Sequence, residues 1–297
     1  MSKPLSLAYS PCPNDTFVFA AWTKGFLTGG PPVQVVLDDV EALNEAALRG
    51  EHALTKVSYG AIPYLTEHYR ILRAGGALGR GCGPLLIAKP RIDGSALPLE
   101  EFADGARIAI PGELTTAHLL LRLAHRRPIE TVVMRFDAIV AAVARGEVDA
   151  GLIIHESRFT YQSSGLAQVV DLGQWWEGET GKPIPLGAIL VHRDLGEVAA
   201  LRIEETIRES LKFAYAYPAA VAPYVREHAF EMDEEVMRKH IALYVNAYTH
   251  DVRADGLAAV ETLFAVAADA GLIPAGSAPD FVGSPGPLPI HLGSVME

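Results

Sequence analysis

The feature that most constrains this chain is an alternation of short apolar strands with helices, which runs twice through the first 155 residues. The tripeptide Arg-Gly-Glu at residues 49–51 recurs at residues 145–147, each time after a predicted helix and before a predicted strand. Such alternation is typical of a mostly parallel sheet with helices on its faces. We therefore predict an α/β fold in which two similar units face each other across a cleft.

The predicted elements suggest where these two lobes begin and end. Predicted strands cover residues 5–9, 33–37, 53–57, 107–110, 132–136 and 150–154, and predicted helices cover residues 17–22, 40–48, 61–65, 117–124 and 138–144. Connecting strands near Ile87 and Ile189 would lead out of the first lobe and back, as in hinge-bending binding proteins. The first lobe would then hold residues 1–88 and 190–297, with the C-terminal helices, and the second lobe residues 89–189. The proline-rich end, residues 274–297, is expected to be irregular and has no predicted function.

Composition and charge exclude several classes of protein. Hydrophobic residues make up 49% of the chain and charged residues 21%, which is inconsistent with disorder. The net charge of −11 argues against nucleic acid and against an anionic membrane as partners. No apolar run reaches the roughly 18 residues of a membrane-spanning helix, and the N-terminal residues lack the apolar core of a signal peptide. We therefore expect a cytoplasmic protein. The negative net charge does not exclude a small anionic substrate, because a site can be locally positive.

Motifs that would indicate a cofactor, a metal or acyl transfer are missing from the sequence. Pro84 stands where the dinucleotide-binding pattern requires glycine, and no phosphate-binding loop is found. His155-Glu156 has Phe159 in the position of the second zinc-binding histidine. No nucleophile elbow is found, and two cysteines cannot form a disulfide framework. We expect neither a cofactor nor a metal ion.

Polar residues at predicted strand ends are the first candidates for a site. Ser58 follows a buried strand, and ligands of open α/β sheets bind at the carboxyl ends of strands. Lys56 lies inside that strand, so its charge needs a carboxylate partner or access to water. Thr115 and Thr116 open a helix, where hydroxyls and free backbone N–H groups suit an oxyanion. The alternatives are an ordinary turn at Ser58 and a simple helix cap at one of the threonines.

His155 is the candidate base. It follows the predicted strand 150–154, which comes after the second Arg-Gly-Glu tripeptide. An imidazole titrates near neutral pH, which suits removal of a proton from carbon. The alternative is a structural histidine. Cys12 precedes a helix and is a weaker candidate, as a nucleophile.

Several segments resemble one enzyme family. They are residues 10–17 (SPCPNDTF), 55–61 (TKVSYGA), 111–117 (PGELTTA), 155–161 (HESRFTY) and 244–249 (YVNAYT). Together they resemble the 1,4-dihydroxy-6-naphthoate synthases, the cyclic dehypoxanthine futalosine lyases of the futalosine route to menaquinone. The resemblance runs from about residue 5 to about residue 273.

The resemblance implies a two-lobed fold of the type II periplasmic-binding-protein class and a cofactor-free carbon–carbon lyase acting on a spirocyclic carboxylate. Carried over by motif, His155 would accept the proton. The residues that would line the substrate are Lys56, Val57, Ser58, Thr115 and Thr116, with Asn44 in the cleft.

Two other functions are compatible with this fold. A solute-binding protein for a small carboxylate would share it but would need export. A chorismate dehydratase would share both the fold and the pathway, although the motifs at residues 10–16 and 155–159 favour the lyase. The sequence leaves the oligomeric state open, with a homodimer as one alternative.

Overall fold

The computed structural model describes residues 3–229 and 233–283, which form a mixed α/β protein with two β-sheets. The strands are β1 (Leu5–Tyr9), β2 (Val33–Leu37), β3 (Leu54–Ser58), β4 (Tyr69–Ile71), β5 (Ala77–Gly79), β6 (Leu85–Ala88), β7 (Arg107–Ile110), β8 (Glu130–Val133), β9 (Ala150–Ile153), β10 (Ala167–Asp171) and β11 (Ile184–His192). The α/β class predicted from the alternating pattern is confirmed.

The helices fill the intervals between these strands and the C-terminal third of the chain. They are α1 (Pro13–Thr23), α2 (Val40–Leu48), α3 (Thr116–Ala124), α4 (Phe136–Arg145), α5 (Ser157–Thr160), α6 (Leu172–Thr180), α7 (Gly196–Ala216), α8 (Pro218–His228), α9 (Glu234–Tyr244), α10 (Ala247–His250) and α11 (Arg253–Asp269). Within the described ranges, none of them combines the length and the apolarity that crossing a membrane requires.

The first sheet has the strand order β2-β1-β3-β11-β4, and β5 also pairs with β11. Strands β1, β2 and β3 are parallel, whereas β11 runs antiparallel to its neighbours. The second sheet has the order β10-β6-β9-β7-β8, with β7, β8 and β9 parallel. The chain therefore changes sheet between β5 and β6 and returns between β10 and β11. The predicted division into two lobes at residues 88 and 189 stays a prediction.

Buried helices pack against the first sheet. Helix α1 contacts α7, α8 and α9, so the C-terminal helices cover the same layer as the first helix of the chain. A core cluster that includes Phe19, Ile203 and Val225 lies in this layer. A smaller cluster with Ile87 and Ile139 lies under the second sheet. A third cluster contains residues of both sheets, among them Val57 and Ile108, and so joins the two sheets in one core.

The boundaries of several elements differ from the sequence prediction. Helix α1 begins at Pro13 rather than at residue 17, because proline suits the first helical position, where no N–H donor is needed. The segment 61–65 forms only a short 3₁₀ turn around Pro63. Strand β8 ends at Val133, and the apolar residues from Phe136 onward belong to α4, which is closed by Gly146 at a φ of 76°.

The end of the chain was expected to be irregular. Residues 274–283 contain neither a helix nor a named strand, although Phe281 forms a single bridge with Ile71. The remainder of that segment, residues 284–297, lies outside the described residues.

Candidate active site

A cavity with about 700 Å³ of empty space lies between the two sheets. Its walls come from the ends of β1, β3 and β9, from the start of α3 and from α9. Because the carboxyl ends of parallel strands meet at one edge, loops from both sheets converge here. The polar residues that line it are Ser10, Asn14, Asp15, Lys56, Ser58, Thr115, Thr116, His155, His240 and Tyr244.

Most of the residues predicted from the sequence meet in this cavity. His155, Lys56, Val57, Ser58, Thr115 and Thr116 all line it. Asn44 does not: it is fully buried behind Ser58 and acts through that residue. The structure therefore places the other predicted residues around one cavity. Asn44 lies behind the cavity wall, where it hydrogen-bonds to Ser58.

His155 has an unusual backbone and an unpaired ring nitrogen. Its φ of 58° lies in the left-handed region, which non-glycine residues seldom adopt and which is frequent at functional sites. Its ring packs edge-on against Phe136, with centroids 4.9 Å apart. The Nε2 atom is buried and has no hydrogen-bond partner among the described residues. A buried, unpaired imidazole nitrogen is available to a substrate.

Burial controls the protonation of His155. Its pKa is lowered to about 4, mainly by desolvation; the negative charge of Asp15 opposes the shift and the positive charge of Lys56 adds to it. The imidazole is therefore neutral near pH 7 and can accept a proton without first losing one.

Cys12 provides the second contact of His155. Its Sγ lies 3.2 Å from Nδ1 of the imidazole. Burial, followed by the charge of Glu156, raises the pKa of the Cys12 thiol well above its ordinary value. The thiol therefore stays protonated, which removes the basis for a thiolate nucleophile. In the tautomer with the proton on Nδ1, the Nδ1–H group donates a hydrogen bond to Cys12 Sγ. The lone pair of Nε2 then has no donor among the described residues.

Lys56 has the carboxylate partner that its buried position requires. Its Nζ lies 2.7 Å from Oδ1 of Asp15 and donates to the carbonyl of Gly75 at 3.3 Å. Asp15 also accepts hydrogen bonds from Ser10 and Asn14 at 2.9 and 2.8 Å. Asp15 was not predicted as a site residue, although the charge of Lys56 inside a buried strand requires a partner of this kind.

Ser58 is held by a small network on α2. Its backbone N–H donates to Asn44 Oδ1 at 2.9 Å, and its hydroxyl accepts from Asn44 Nδ2 at 3.3 Å. Asn44 also donates to Glu41, whose carboxylate accepts the backbone N–H of Leu114 at 2.9 Å. Among the described residues the Ser58 hydroxyl proton has no acceptor, so it is free to bind a substrate oxygen. Glu41 links the Ser58 side of the cavity to the start of α3.

The two threonines use their hydroxyl protons within the protein. Thr115 donates to the carbonyl of Gly112 and accepts the N–H of His118, as a helix cap does. Thr116 donates to the carbonyl of Leu186 at 2.7 Å and accepts the N–H of Gly60 at 3.1 Å. Each hydroxyl therefore bridges backbone groups, and Thr115 forms the helix cap that was the alternative interpretation. Contact of either threonine with a substrate stays a prediction.

Free donors nevertheless remain at the start of α3. Within the described residues no acceptor is found for the backbone N–H groups of Thr116 and Ala117, which are the first two of the helix. The positive end of the helix dipole lies at the same place. Gly60 approaches this turn so closely that a Cβ there would lie 2.9 Å from the carbonyl oxygen of Leu114. The site therefore offers an oxyanion two amide donors and the Ser58 hydroxyl.

A second histidine, His240, adjoins the first and was not predicted from any sequence motif. The ring of His240 stacks on that of His155 with centroids 6.3 Å apart, and its Nε2 lies 2.9 Å from Asn14 Oδ1. Its Nδ1 lies 3.7 Å from a carboxylate oxygen of Glu156. Burial, followed by the nearby His155, lowers the pKa of His240 well below its usual range.

The segment after His155 is a turn followed by the short helix α5, not extended chain. Arg158 in this segment pairs with Asp171 at 2.8 Å.

One group of described residues has the proximity required of metal ligands. Cys12, His155 and Glu156 each offer a ligand atom, and these atoms lie within 4.8 Å of one another. A thiol ligand must be deprotonated, which the raised pKa of Cys12 disfavours. The arrangement suits a hydrogen-bonded base better than a metal centre.

Comparison with known proteins gives consistent matches over nearly the whole chain. The family model described as menaquinone biosynthesis matches residues 5–269. A 1,4-dihydroxy-6-naphtoate synthase of Thermus thermophilus is 49% identical over 280 residues, which are 94% of this chain and 100% of the relative. The protein of the same name from Streptomyces coelicolor is 47% identical over 278 residues, covering 91% of this chain and 95% of the relative.

Solved structures share the architecture. A protein of Archaeoglobus fulgidus, 37% identical, superposes with a TM-score of 0.84 and covers 91% of this chain and 98% of its own. The alkanesulfonate-binding protein of Xanthomonas axonopodis, bound to MOPS, is 17% identical with a TM-score of 0.67 and coverages of 92% and 96%. A ligand-binding component of an importer from Staphylococcus aureus has 13% identity, a TM-score of 0.68 and coverages of 95% and 96%. The predicted periplasmic-binding-protein-like fold is confirmed.

Proposed function

We propose that this chain, which belongs to the menaquinone biosynthesis family, is a lyase that converts cyclic dehypoxanthine futalosine to 1,4-dihydroxy-6-naphthoate and dihydroxyacetone. Membership of the family and the names of the relatives identify it as an enzyme of menaquinone biosynthesis. The substrate and the roles of individual residues are our proposal. It includes a small carboxylate as substrate and a cytoplasmic location; the homodimer stays a prediction.

The observation that carries the proposal is the neutral His155, whose buried Nε2 has no hydrogen-bond partner among the described residues, in a cavity between two sheets. The reaction requires removal of a proton from a carbon next to a ketone, because that carbon becomes part of an aromatic ring. An imidazole whose pKa is lowered to about 4 is deprotonated at neutral pH and is ready to act.

The proton and the electrons can be followed through the proposed step. His155 Nε2 takes the proton, and the electron pair of the C–H bond forms an enolate on the neighbouring ketone. The spiro carbon holds the sugar-derived ring through carbon and through oxygen, so two bonds must break. The bond from the ring oxygen to its other carbon opens first and leaves that oxygen on the six-membered ring. The oxygen then becomes a carbonyl as the carbon–carbon bond breaks and its electron pair leaves with the three-carbon fragment, and enolisation makes the six-membered ring aromatic. The imidazolium then returns its proton to the three-carbon fragment, which leaves as dihydroxyacetone. No external oxidant or reductant is needed.

Donors around the cavity would hold the substrate's carboxylate. The Ser58 hydroxyl and the N–H groups of Thr116 and Ala117 can bind its two oxygens, and the N-terminal end of α3 favours the negative charge. Charge-assisted hydrogen bonds of this kind contribute about 1.5–3 kcal/mol each. They would fix the position of the acidic carbon relative to His155.

Lys56 is the candidate for stabilising the enolate. Two of its three N–H donors bind Asp15 and Gly75, and the ammonium group lines the cavity. A cation in a water-poor site stabilises developing negative charge more strongly than it would in water. Asp15 would keep this cation in place while the substrate enters and leaves.

The other two functions remain alternatives for the same fold. A solute-binding protein needs donors for its ligand but no base, so the strained backbone and the unpaired nitrogen of His155 favour catalysis. A chorismate dehydratase would require an elimination of water from a different ring carboxylate.

The experiment is incubation of the purified protein with purified cyclic dehypoxanthine futalosine. We expect an absorbance change from formation of a naphthoate, with an equimolar amount of dihydroxyacetone measured by an enzyme-coupled assay. Chorismate is incubated in parallel. Binding of the substrate without turnover would support the solute-binding alternative, and consumption of chorismate alone would support the dehydratase.

A further inference from the structure

A second and larger cavity lies on the other side of α3 and shares no lining residue with the first. It has about 1200 Å³ of empty space between the outer face of α3, the segment 125–131 and the residues that follow α11. The active-site cavity uses Thr115, Thr116 and Ala117, whereas this cavity uses His118 and Arg122 from the next turns of the same helix.

The lining of this second cavity is strongly basic. Arg122, Arg126 and Arg127 contribute three guanidinium groups, and Glu113 is the single acidic residue among the lining residues that the structure describes. Arg127 is paired with Asp104 at 2.8 Å. Arg122 and Arg126 form neither an ion pair nor a hydrogen bond with any residue in the described ranges. Their charges are therefore available to a ligand.

Two histidines add neutral hydrogen-bonding groups to the same wall. His125 is 6% exposed, and its buried Nε2 has no hydrogen-bond partner within the described part of the chain. Burial, followed by the charge of Arg127, lowers its pKa. Burial also lowers the pKa of His118, whose Nδ1 lies 3.0 Å from the carbonyl oxygen of Glu113. Leaving a buried polar nitrogen unpaired is costly unless a ligand or water pairs with it.

The basic residues of the second cavity stand out because the chain as a whole is acidic. The whole chain carries a net charge of −11, so its long-range field repels anions. Arg122 and Arg126, which have no ion-pair partner in the described ranges, make the potential positive only near the cavity. They can therefore attract an anion that binds guanidinium groups in a bidentate manner.

We propose that this second cavity is a binding site for a small molecule carrying phosphate groups, held by Arg122 and Arg126 with His125. The cavity is concave and has room for a ligand of nucleotide size, which favours a small molecule over a flat protein surface. Phosphate groups match the planar donors of arginine, and several linked phosphates would match the two unpaired guanidinium groups. The site is separate from the reaction proposed above, so either proposal can fail without the other.

The test is calorimetric titration of the full chain with tripolyphosphate at low ionic strength, with citrate as a carboxylate of comparable charge. We expect saturable 1:1 binding of tripolyphosphate and at least tenfold weaker binding of citrate. The R122A/R126A double variant should weaken tripolyphosphate binding by roughly tenfold or more. The control R49A/R145A makes the same change in net charge outside both cavities and should bind like the parent.

A second readout locates the ligand. Tripolyphosphate should shift the imidazole NMR signals of His125, assigned by their loss in His125→Gln, and these shifts should disappear in R122A/R126A. Absence of saturable binding, equal weakening in the control variant, or citrate binding as tight as tripolyphosphate would each overturn the proposal. Circular dichroism confirms that both double variants are folded.

Discussion

Nδ1 of His155 lies 3.2 Å from Sγ of Cys12, although the two residues are 143 positions apart in the chain. Cys12 immediately precedes α1, which packs on the first sheet, and His155 follows β9 of the second sheet. The contact therefore joins the two sides of the cavity at the proposed base. Because Cys12 is buried and His155 is half-buried, closing the cavity would fix the imidazole and exclude water in the same step.

His155→Asn should fold and bind substrate but lose about 10²–10⁴-fold in kcat, because general base catalysis typically contributes that much. KM should change by less than about threefold, since the carboxylate donors are untouched. Steady-state kinetics with the futalosine derivative measure both constants. His250→Asn, at an exposed position outside the cavity, serves as the control and should turn over normally. Near-normal kcat in His155→Asn would assign the base to another group.

Cys12 is expected to position the imidazole without reacting itself. Cys12→Ser keeps a hydroxyl partner for Nδ1 and should reduce kcat by less than about tenfold. Cys12→Ala removes that partner and should reduce kcat further, with KM unchanged and the acid limb of the kcat/KM profile displaced. If Cys12 were a covalent nucleophile, both variants would instead lose almost all activity. Mass spectrometry of the trapped parent enzyme would then reveal a covalent intermediate, and pH–rate profiles would show the loss in both variants.

The sequence predicted the strands that deliver the site better than it predicted the contacts within the site. Strand ends at Ser58 and before His155 follow from buried apolar runs, which local pattern specifies. Partners such as Asp15 for Lys56 and His240 beside His155 depend on packing between distant segments, which no local pattern encodes. Free amides follow from the start of a helix, and their role as donors to a substrate stays a prediction. The use of both threonine hydroxyls by backbone groups depends on Gly112 and on the approach of β11.

Ser58→Ala should weaken substrate binding roughly ten- to hundredfold, because it removes one charge-assisted hydrogen bond worth about 1.5–3 kcal/mol. Thr115→Val should act mainly on stability, since its hydroxyl proton already binds Gly112. Binding is measured by calorimetry in the His155→Asn background, where turnover does not interfere. Ser163→Ala, an exposed position, is the control. A larger loss of affinity in Thr115→Val than in Ser58→Ala would contradict this assignment of donors.

Lys56→Met should destabilise the protein by about 3–5 kcal/mol, because it leaves the Asp15 carboxylate buried without its cation. The double variant Asp15→Asn/Lys56→Met removes both charges and should recover much of that loss. Urea unfolding followed by circular dichroism gives the free energies of unfolding. Equal destabilisation by the single and double variants would show that the pair contributes through packing and not through charge.

The stability of the protein should fall as the pH drops from about 6.5 to about 4, and His155 should account for a defined part of the fall. Burial lowers its folded pKa to about 4, so over this range the unfolded chain binds a proton that the folded chain does not. Unfolding is therefore favoured by acid, by about 1.4 kcal/mol per pH unit for one such group. The lowered pKa values of His118, His125 and His240 act with the same sign. The raised pKa values of the Glu41 and Glu204 carboxyls act with the opposite sign, so the parent slope alone does not isolate His155.

The difference between parent and variant isolates His155 from these other histidines. His155→Asn should reduce the slope of the unfolding free energy against pH by about one proton, or about 1.4 kcal/mol per pH unit, between pH 6.5 and pH 4. Urea unfolding at half-unit pH intervals measures this slope, with His250→Asn expected to retain the parent slope. A variant slope equal to that of the parent would mean that His155 binds a proton equally in the folded and unfolded chains. Such an imidazole would not be desolvated in the folded protein, which would contradict the lowered pKa assigned to His155.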